Sequence, residues 1–207
     1  FTDCGKTHNK YSIHSNSNSL VITSSTISCT NPAVSSSAIL VDKFSKLQFI
    51  DSTIKDINAS GNTGRSAGIM YNNNRRGNQN DCNVLISGST FDNLLSGNGR
   101  AFLGRFARAS RWSNCTIKNM PDGYYIITLG HLVQTHGDFL FDRLIFVNNT
   151  ASCPGGGGGS GIWVSQISKF TLRECQFIRN HNNLENGGAL GYVQLDKQKY
   201  GTNADTE

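Results

Sequence analysis

FTLRECQFIRN, residues 170–180, sets a ruler that the rest of the chain repeats. With Phe177 as anchor, apolar residues stand five and seven positions upstream, at Leu172 and Phe170, and Cys175 stands two upstream. The same offsets hold at Phe146 (Phe141, Phe139, Leu144), Phe91 (Ile86, Val84, Ser89), Ile54 (Phe49, Leu47, Ser52) and Ile27 (Ile22, Leu20, Ser25). At Ile117 they hold for Trp112 and Cys115, while Ser110 replaces the outermost apolar residue. The six anchors lie 26 to 37 residues apart in the chain. A period in this range marks a stacked repeat.

The offsets have a physical meaning. Residues two apart on a strand share a face, so Phe170 and Leu172 point one way, as do Cys175 and Phe177. The step of three between Leu172 and Cys175 breaks that parity, and a two-residue bend restores it. The bend pairs are Thr23-Ser24, Ile50-Asp51, Ser87-Gly88, Ser113-Asn114, Asp142-Arg143 and Arg173-Glu174, mostly polar or glycine. A short apolar run follows each copy, at residues 38–41, 67–71, 101–103, 124–129, 161–164 and 189–193. Three short faces per copy, stacked on one another, predict an all-β parallel β-helix, a solenoid of about six coils.

With this pattern the chain resembles the right-handed parallel β-helices of the pectate-lyase-like superfamily. Phe177-x-x-Asn180 followed by Gly187-Gly188-Ala189-Leu190 resembles the repeats of polymorphic outer-membrane proteins and autotransporter passengers. Phe146-x-x-Asn149 is a half-match, and Leu94, Ile57, Met120 and Thr30 stand where the other copies would need asparagine. The resemblance covers residues 20–195 and implies a right-handed coil.

The predicted organisation is an N-terminal capping segment or end of a preceding coil (1–19), the β-helix (20–196) and a polar tail (197–207). A chain of 207 residues suits one domain. Charged residues make up 16%, against an average of about 25%, which suits an exposed β surface with many corners. No apolar run reaches the roughly 18 residues of a membrane span. The net charge of +5 permits attraction to acidic glycans and does not argue for nucleic acid. The chain starts at Phe1, so either a leader has been removed or the sequence is a piece of something longer.

Cys4, Cys29, Cys82, Cys115, Cys153 and Cys175 are compatible with disulfides in an oxidising compartment. Cys115 and Cys175 share one inward column two coils apart, about 10 Å at the strand spacing and too far for a bridge. Local pairs, Cys4 with Cys29 or Cys153 with Cys175, fit better, and Cys115 fits a buried free thiol equally well. Sequons at Asn58, Asn114 and Asn148 fall at expected corners, where a glycan could project. Arg100, Arg105, Arg108 and Arg111 alternate with Phe102, Phe106 and Trp112. Arginine among aromatics suits acidic sugars or phosphates, although inward aromatics under a solvated arginine face explain the pattern more simply. The stretch 72–83, NNNRRGNQNDCN, reads as an exposed loop. The glycine run at 155–159 gives a trivial match to a nucleotide fingerprint at 156–161, with no helix after it.

Polysaccharide-cleaving members of the superfamily carry Asn-Thr-Asp, Asp-Asp, Gly-His-Gly and Arg-Ile-Lys motifs, or acids clustered around calcium. Neither occurs here; Thr135-His136-Gly137-Asp138 is the nearest fragment. No metal site or cofactor is expected, since His8, His14, His131, His136 and His181 show no ligand spacing. Asp142 and Glu174 lie on corners of adjacent coils and are the best acid pair for glycosidic chemistry. The same corners set Arg173 over Asp142 and Glu174 over Arg143, a crossed set of structural ion pairs. The expected protein is a secreted or cell-surface scaffold, adhesin or filament subunit without catalytic activity. Head-to-tail self-association or flanking coils of a longer chain would cover its ends. A glycan-binding module or a carbohydrate-active enzyme, lyase or glycoside hydrolase, is the alternative.

Overall fold

A computed structural model of the chain describes residues 11–28, 37–42, 46–59, 66–72, 83–96, 100–105, 109–121, 125–129, 135–151, 162–165, 167–182 and 190–193. They form a parallel β-solenoid with three faces, and no helix occurs among the described residues.

The first face stacks β2 (Ser19–Thr23), β5 (Lys46–Ile50), β8 (Asn83–Ser87), β11 (Ala109–Ser113), β14 (Thr135–Asp142) and β18 (Ile167–Arg173). The second stacks β3 (Thr26–Ser28), β6 (Thr53–Ala59), β9 (Thr90–Ser96), β12 (Thr116–Lys118), β15 (Ile145–Val147) and β19 (Gln176–Ile178). Each of these twelve strands comes from one of the six copies of the ruler. The third face holds β1 (Tyr11–Ser15), β4 (Ser37–Asp42), β7 (Ile69–Asn72), β10 (Phe102–Arg105), β13 (Ile127–Leu129), β17 (Ile162–Ser165) and β21 (Leu190–Val193). A short pair, β16 (Thr150–Ala151) and β20 (His181–Asn182), extends the last two coils. Strand β1 lies within the segment before the first copy and pairs with β4 on the third face.

The anchors stack as one column, Ile27–Ile54–Phe91–Ile117–Phe146–Phe177. All but Phe177 are buried. Two further columns line the first face. One runs Leu20–Leu47–Val84–Ser110–Phe139–Phe170, the other Ile22–Phe49–Ile86–Trp112–Phe141–Leu172. Ser110 is the one hydroxyl in these two columns, and its neighbour explains it. Trp112 is fully buried, and its Nε1–H donates to Ser110 Oγ at 2.8 Å. A buried indole needs an acceptor, and the serine supplies it from within the core.

At each bend the second residue takes a left-handed conformation: Ser24, Asp51, Gly88, Asn114, Arg143 and Glu174 have φ between 46° and 58°. Between neighbouring coils the ladder continues through the bend. Asn114 N–H donates to Asp142 O at 3.0 Å, and Arg143 N–H to Arg173 O at 2.8 Å. The companion column, Ser25, Ser52, Ser89, Cys115, Leu144 and Cys175, sits just inside. Ser25 and Ser52 donate their amides to Oγ of the next serine, at 3.1 and 3.2 Å. Each of these three hydroxyls in turn donates to the carbonyl two residues back, at 2.7–2.8 Å. The small polar residues of the ruler therefore satisfy corner backbone groups that burial would otherwise leave bare.

A second parity break follows the five anchors from Ile54 to Phe177. Asp56, Asn93, Asn119, Asn148 and Arg179, each two past its anchor, have φ between 50° and 55°. The residue after them turns inward again, giving the column Ile57, Leu94, Met120, Asn149, Asn180. Ile57, Leu94 and Met120 are buried and apolar. Asn149 is fully buried and continues the column with an amide. Its Nδ2–H donates to Ile117 O (3.1 Å) and Asn180 Oδ1 (2.9 Å), and its Oδ1 accepts from Met120 N–H (3.0 Å). Asn180 repeats the move, donating to Phe146 O at 2.9 Å.

Across β4, β7 and β10 the third face is apolar on both sides. Ile39, Ile69, Phe102, Ile127 and Ile162 join the main core, while Leu40, Met70 and Leu103, on the opposite side, form a second buried cluster. Continuous apolar runs, rather than alternation, are what a strand covered on both faces requires. Backbone approaches backbone most closely at Gly68, where a Cβ would run into the carbonyl oxygen of Ala101.

Candidate functional site

The charged corner between β14 and β18 is the strongest candidate for chemistry. Asp142 ends β14 and Arg173 ends β18, so the ladder sets one over the other. Arg173 grips the carboxylate with two bonds, Nε to Oδ1 and Nη2 to Oδ2, both 2.8 Å. Arg143 closes on the same group, with Nη2 3.0 Å from Oδ2. The carboxylate is 7% exposed, whereas Arg143 and Arg173 are 53% and 58% exposed. The Arg173 fork and the neighbouring Arg143 hold the Asp142 carboxyl below the usual carboxylate range. The same contact raises the Arg173 guanidinium.

Only half of the expected crossed pairing forms. Arg143 turns to Asp142 rather than to Glu174, and Glu174 makes no ion pair among the described residues. The bend explains the correction. Both arginines project beside one corner whose single recessed carboxylate attracts them together, while Glu174 stays on the exposed rim. An acid held ionised by two cations is a poor proton donor. General acid catalysis needs a carboxyl whose pKa is raised.

The depressed pKa has a consequence for stability. A carboxylate whose folded pKa lies below its unfolded value stabilises the fold fully above the unfolded pKa, about 3.9 for aspartate. That contribution is lost as pH falls through the folded pKa. Wild type should therefore lose stability on acidification below about pH 4, and Asp142→Asn should show a flatter profile in that range. Urea unfolding of both proteins across the acid limb checks this, and parallel profiles would contradict it.

A second polar ladder follows the other corner. Asn93 Nδ2 donates to Asp56 Oδ1 (3.0 Å), Asn119 Nδ2 to Asp92 Oδ1 (2.9 Å), and Asn148 Nδ2 to Asn119 Oδ1 (3.0 Å). Lys118 Nζ lies 3.3 Å from Asp92 Oδ2. The ruler as defined from the anchor backwards does not contain this column. The run of Asp and Asn two past the four middle anchors, at Asp56, Asn93, Asn119 and Asn148, is its sequence signal, since these residues tolerate the left-handed region better than most.

The expected site residues are dispersed. Asn114 is exposed on the first corner and Asn148 on the second. Asn58 is not on a corner. It lies inside β6, paired with Leu95, because the turn has already occurred at Asp56. Arg100 is fully buried and donates through Nη1 to the carbonyls of Pro121 and Thr150, so it belongs to the interior and not to a polyanion surface. Arg111 is exposed on β11, the side chain of Arg105 and all of Arg108 lie outside the described residues, and the four arginines do not form one described patch.

Cys115 and Cys175 carry free thiols, so the Cys153–Cys175 bridge is not formed. Cys4, Cys29, Cys82 and Cys153 lie outside the described residues. Burial pushes the Cys115 thiol up to about 11. It donates to Ser113 O at 3.2 Å, in the manner of the serines in its column, and is a structural thiol rather than a nucleophile. No group of three or more metal-ligating side chains occurs among the described residues. No helix among the described residues is long and apolar enough to cross a membrane.

No family model, curated protein or solved structure matches the chain.

Proposed function

We propose that the chain is a non-catalytic structural scaffold, displayed outside the cell as a rigid surface element of the adhesin or filament kind. The observation that carries this is the clamped corner. Asp142, the one buried carboxylate among the described residues, is held by two arginines in an ion-pair cluster that ties adjacent coils together. Unbroken inward columns serve the same purpose, since close-packed interiors transmit load without yielding. The outer corners are lined with serine, threonine and asparagine, which suits a surface in permanent contact with water. The likeness of Phe177-x-x-Asn180 and Gly187-Gly188-Ala189-Leu190 to passenger repeats supports placement at a cell surface. Exposed Asn114 and Asn148 are the sequons best set to carry a glycan.

The test uses native material. Intact mass should fall after enzymatic deglycosylation, with carbohydrate mapped to Asn114 or Asn148. Incubation with polygalacturonate and related acidic polysaccharides should leave chain length unchanged. Cleavage that Asp142→Asn abolishes, with folding intact, would replace the scaffold with an enzyme.

A further inference from the structure

We infer that the corner at Asp142, with the outer side of the first face beside it, binds a linear acidic polysaccharide by gripping its uronate carboxylates with Arg143, Arg173 and Arg111. The inference rests on the adhesin form of the scaffold reading, whose ligand class it names. It begins from an excess of cation at the corner. Arg173 alone meets the Asp142 carboxylate with two parallel bonds, and one such fork satisfies the geometry of one carboxylate. Arg143 then sets a second guanidinium against the same Oδ2. Two positive charges therefore share one recessed negative charge. Both arginines are more than half exposed, while the carboxylate is nearly covered.

The guanidinium geometry shows what the corner has left to offer. Each guanidinium carries five N–H donors in one plane. Asp142 takes the Nε–H and one Nη2–H of Arg173. The end-on pair, one N–H each from Nη1 and Nη2, is set at an angle to that first fork and has the right shape for both oxygens of a second carboxylate. Arg143 contacts Oδ2 through Nη2, which leaves its other nitrogens for a ligand. Because Asp142 already fixes both side chains, little rotamer freedom is lost when an anion docks.

The surface beside the corner extends the site. Arg111, Leu140 and Thr171 stack in register on β11, β14 and β18, two residues before Ser113, Asp142 and Arg173. Arg111 is exposed, and Leu140 and Thr171 are half-buried. Together they give a sugar ring an apolar patch and a hydroxyl to lie on, with cations to either side. Two coils and two residues separate Arg111 from Arg173, about 12 Å at the backbone. A ligand with a single anion reaches only one of them. A polymer with a carboxylate on every unit reaches both, and its second contact is then intramolecular. Glu174 is the opposing acid, exposed on the same corner. Lys169 and Asp138 are register partners and cancel in formal charge.

Fluorescence anisotropy of a labelled oligogalacturonate, titrated with the intact chain, tests the inference. Wild type should bind, less tightly as salt rises, because screening weakens exposed charge pairs. Arg143→Gln should weaken binding about tenfold, and Arg111→Gln about threefold. Glu174→Gln should strengthen it about twofold. Lys55→Gln removes the same charge from the exposed second face and should leave the affinity unchanged. Far-UV circular dichroism checks that the variants keep their β signal. If Arg143→Gln loses it, Arg143→Lys takes its place, and this variant should still lose about threefold, since it keeps the charge without the fork. No binding by wild type would overturn the inference. Equal losses in Lys55→Gln and Arg143→Gln would overturn it too, as the mark of bulk charge. So would displacement of the probe by neutral dextran, which lacks the carboxylate. Cleavage is read separately, from the length of the polymer, so this inference and the scaffold reading fail separately.

Discussion

Trp112→Ala is expected to lower unfolding stability by about 3–5 kcal/mol, at the upper end for truncation of a large core side chain. Among the described residues, Trp112 is the one side chain whose ring meets rings from all three faces. Its centroid lies 5.5 Å from Phe91 on β9, 5.3 Å from Phe102 on β10 and 5.4 Å from Phe141 on β14. Phe49 and Phe170 extend the stack in both directions, at 5.8 Å from Phe91 and 5.2 Å from Phe141. Alanine leaves a cavity that no single sheet can close by shifting, because the other two hold its walls. It also strands the Ser110 hydroxyl, which now receives the indole N–H. Trp112→Phe with Ser110→Ala keeps an aromatic in the stack and removes the orphaned polar group. That pair should recover most of the loss in urea unfolding. A Trp112→Ala loss below about 1 kcal/mol would mean the core is loosely packed at its centre.

Asn149→Leu is the second large effect, about 1–3 kcal/mol, and it runs against simple hydrophobicity. Leucine is native to this column one position at a time, at Leu94 on β9, where the strand continues to Ser96. After β15 the strand stops at Val147, and the chain turns through Asn148. The Met120 amide then relies on Asn149 Oδ1, at 3.0 Å, while Asn149 Nδ2 adds a second bond to the Ile117 carbonyl at 3.1 Å. A leucine would leave that amide bare in a buried site, at a cost of about 1–3 kcal/mol for an unsatisfied group. Asn149→Asp should lose at least as much, since its carboxylate would be buried without a cation and would set an oxygen against Ile117 O and Asn180 Oδ1, which now receive the amide N–H groups. Equal stability of the leucine variant and wild type would remove the amide ladder from the account.

These two residues also show how far the sequence can be read. Trp112 was legible in position, because the five-residue offset places it in the column of Phe49 and Phe141. Its dependence on Ser110 was not, since an isolated serine at an apolar position looks like a weak copy of the ruler. The first corner was legible because its parity break lies between apolar residues on both sides. The second corner was harder. Its inward residue is Ile57, Leu94 or Met120 in three copies and asparagine in two, and a column that changes chemistry has no single pattern.

The third face was visible as apolar runs, and its two-sided burial follows from their lack of alternation. The corner at Asp142 was half legible. Stacking alone puts Arg173 over Asp142, but the choice of Arg143 between Asp142 and Glu174 depends on side-chain direction at a left-handed residue. Arg100 was misplaced for a related reason. A guanidinium can be buried wherever backbone carbonyls converge on it, and the carbonyls of Pro121 and Thr150 come from segments 21 and 50 residues away.

The central claim is that one ruler makes one coil, with the anchors stacked in parallel register. Amide-to-amide nuclear Overhauser contacts on a perdeuterated sample test it most directly. The parallel ladder predicts contacts linking the Phe91 and Ile117 strands, and the Ile117 and Phe146 strands, through the pairs Thr90–Thr116–Ile145 and Asp92–Lys118–Val147. Contacts placing Phe91 and Ile117 in different sheets, or an antiparallel pattern between β9 and β12, would contradict the solenoid and everything derived from it.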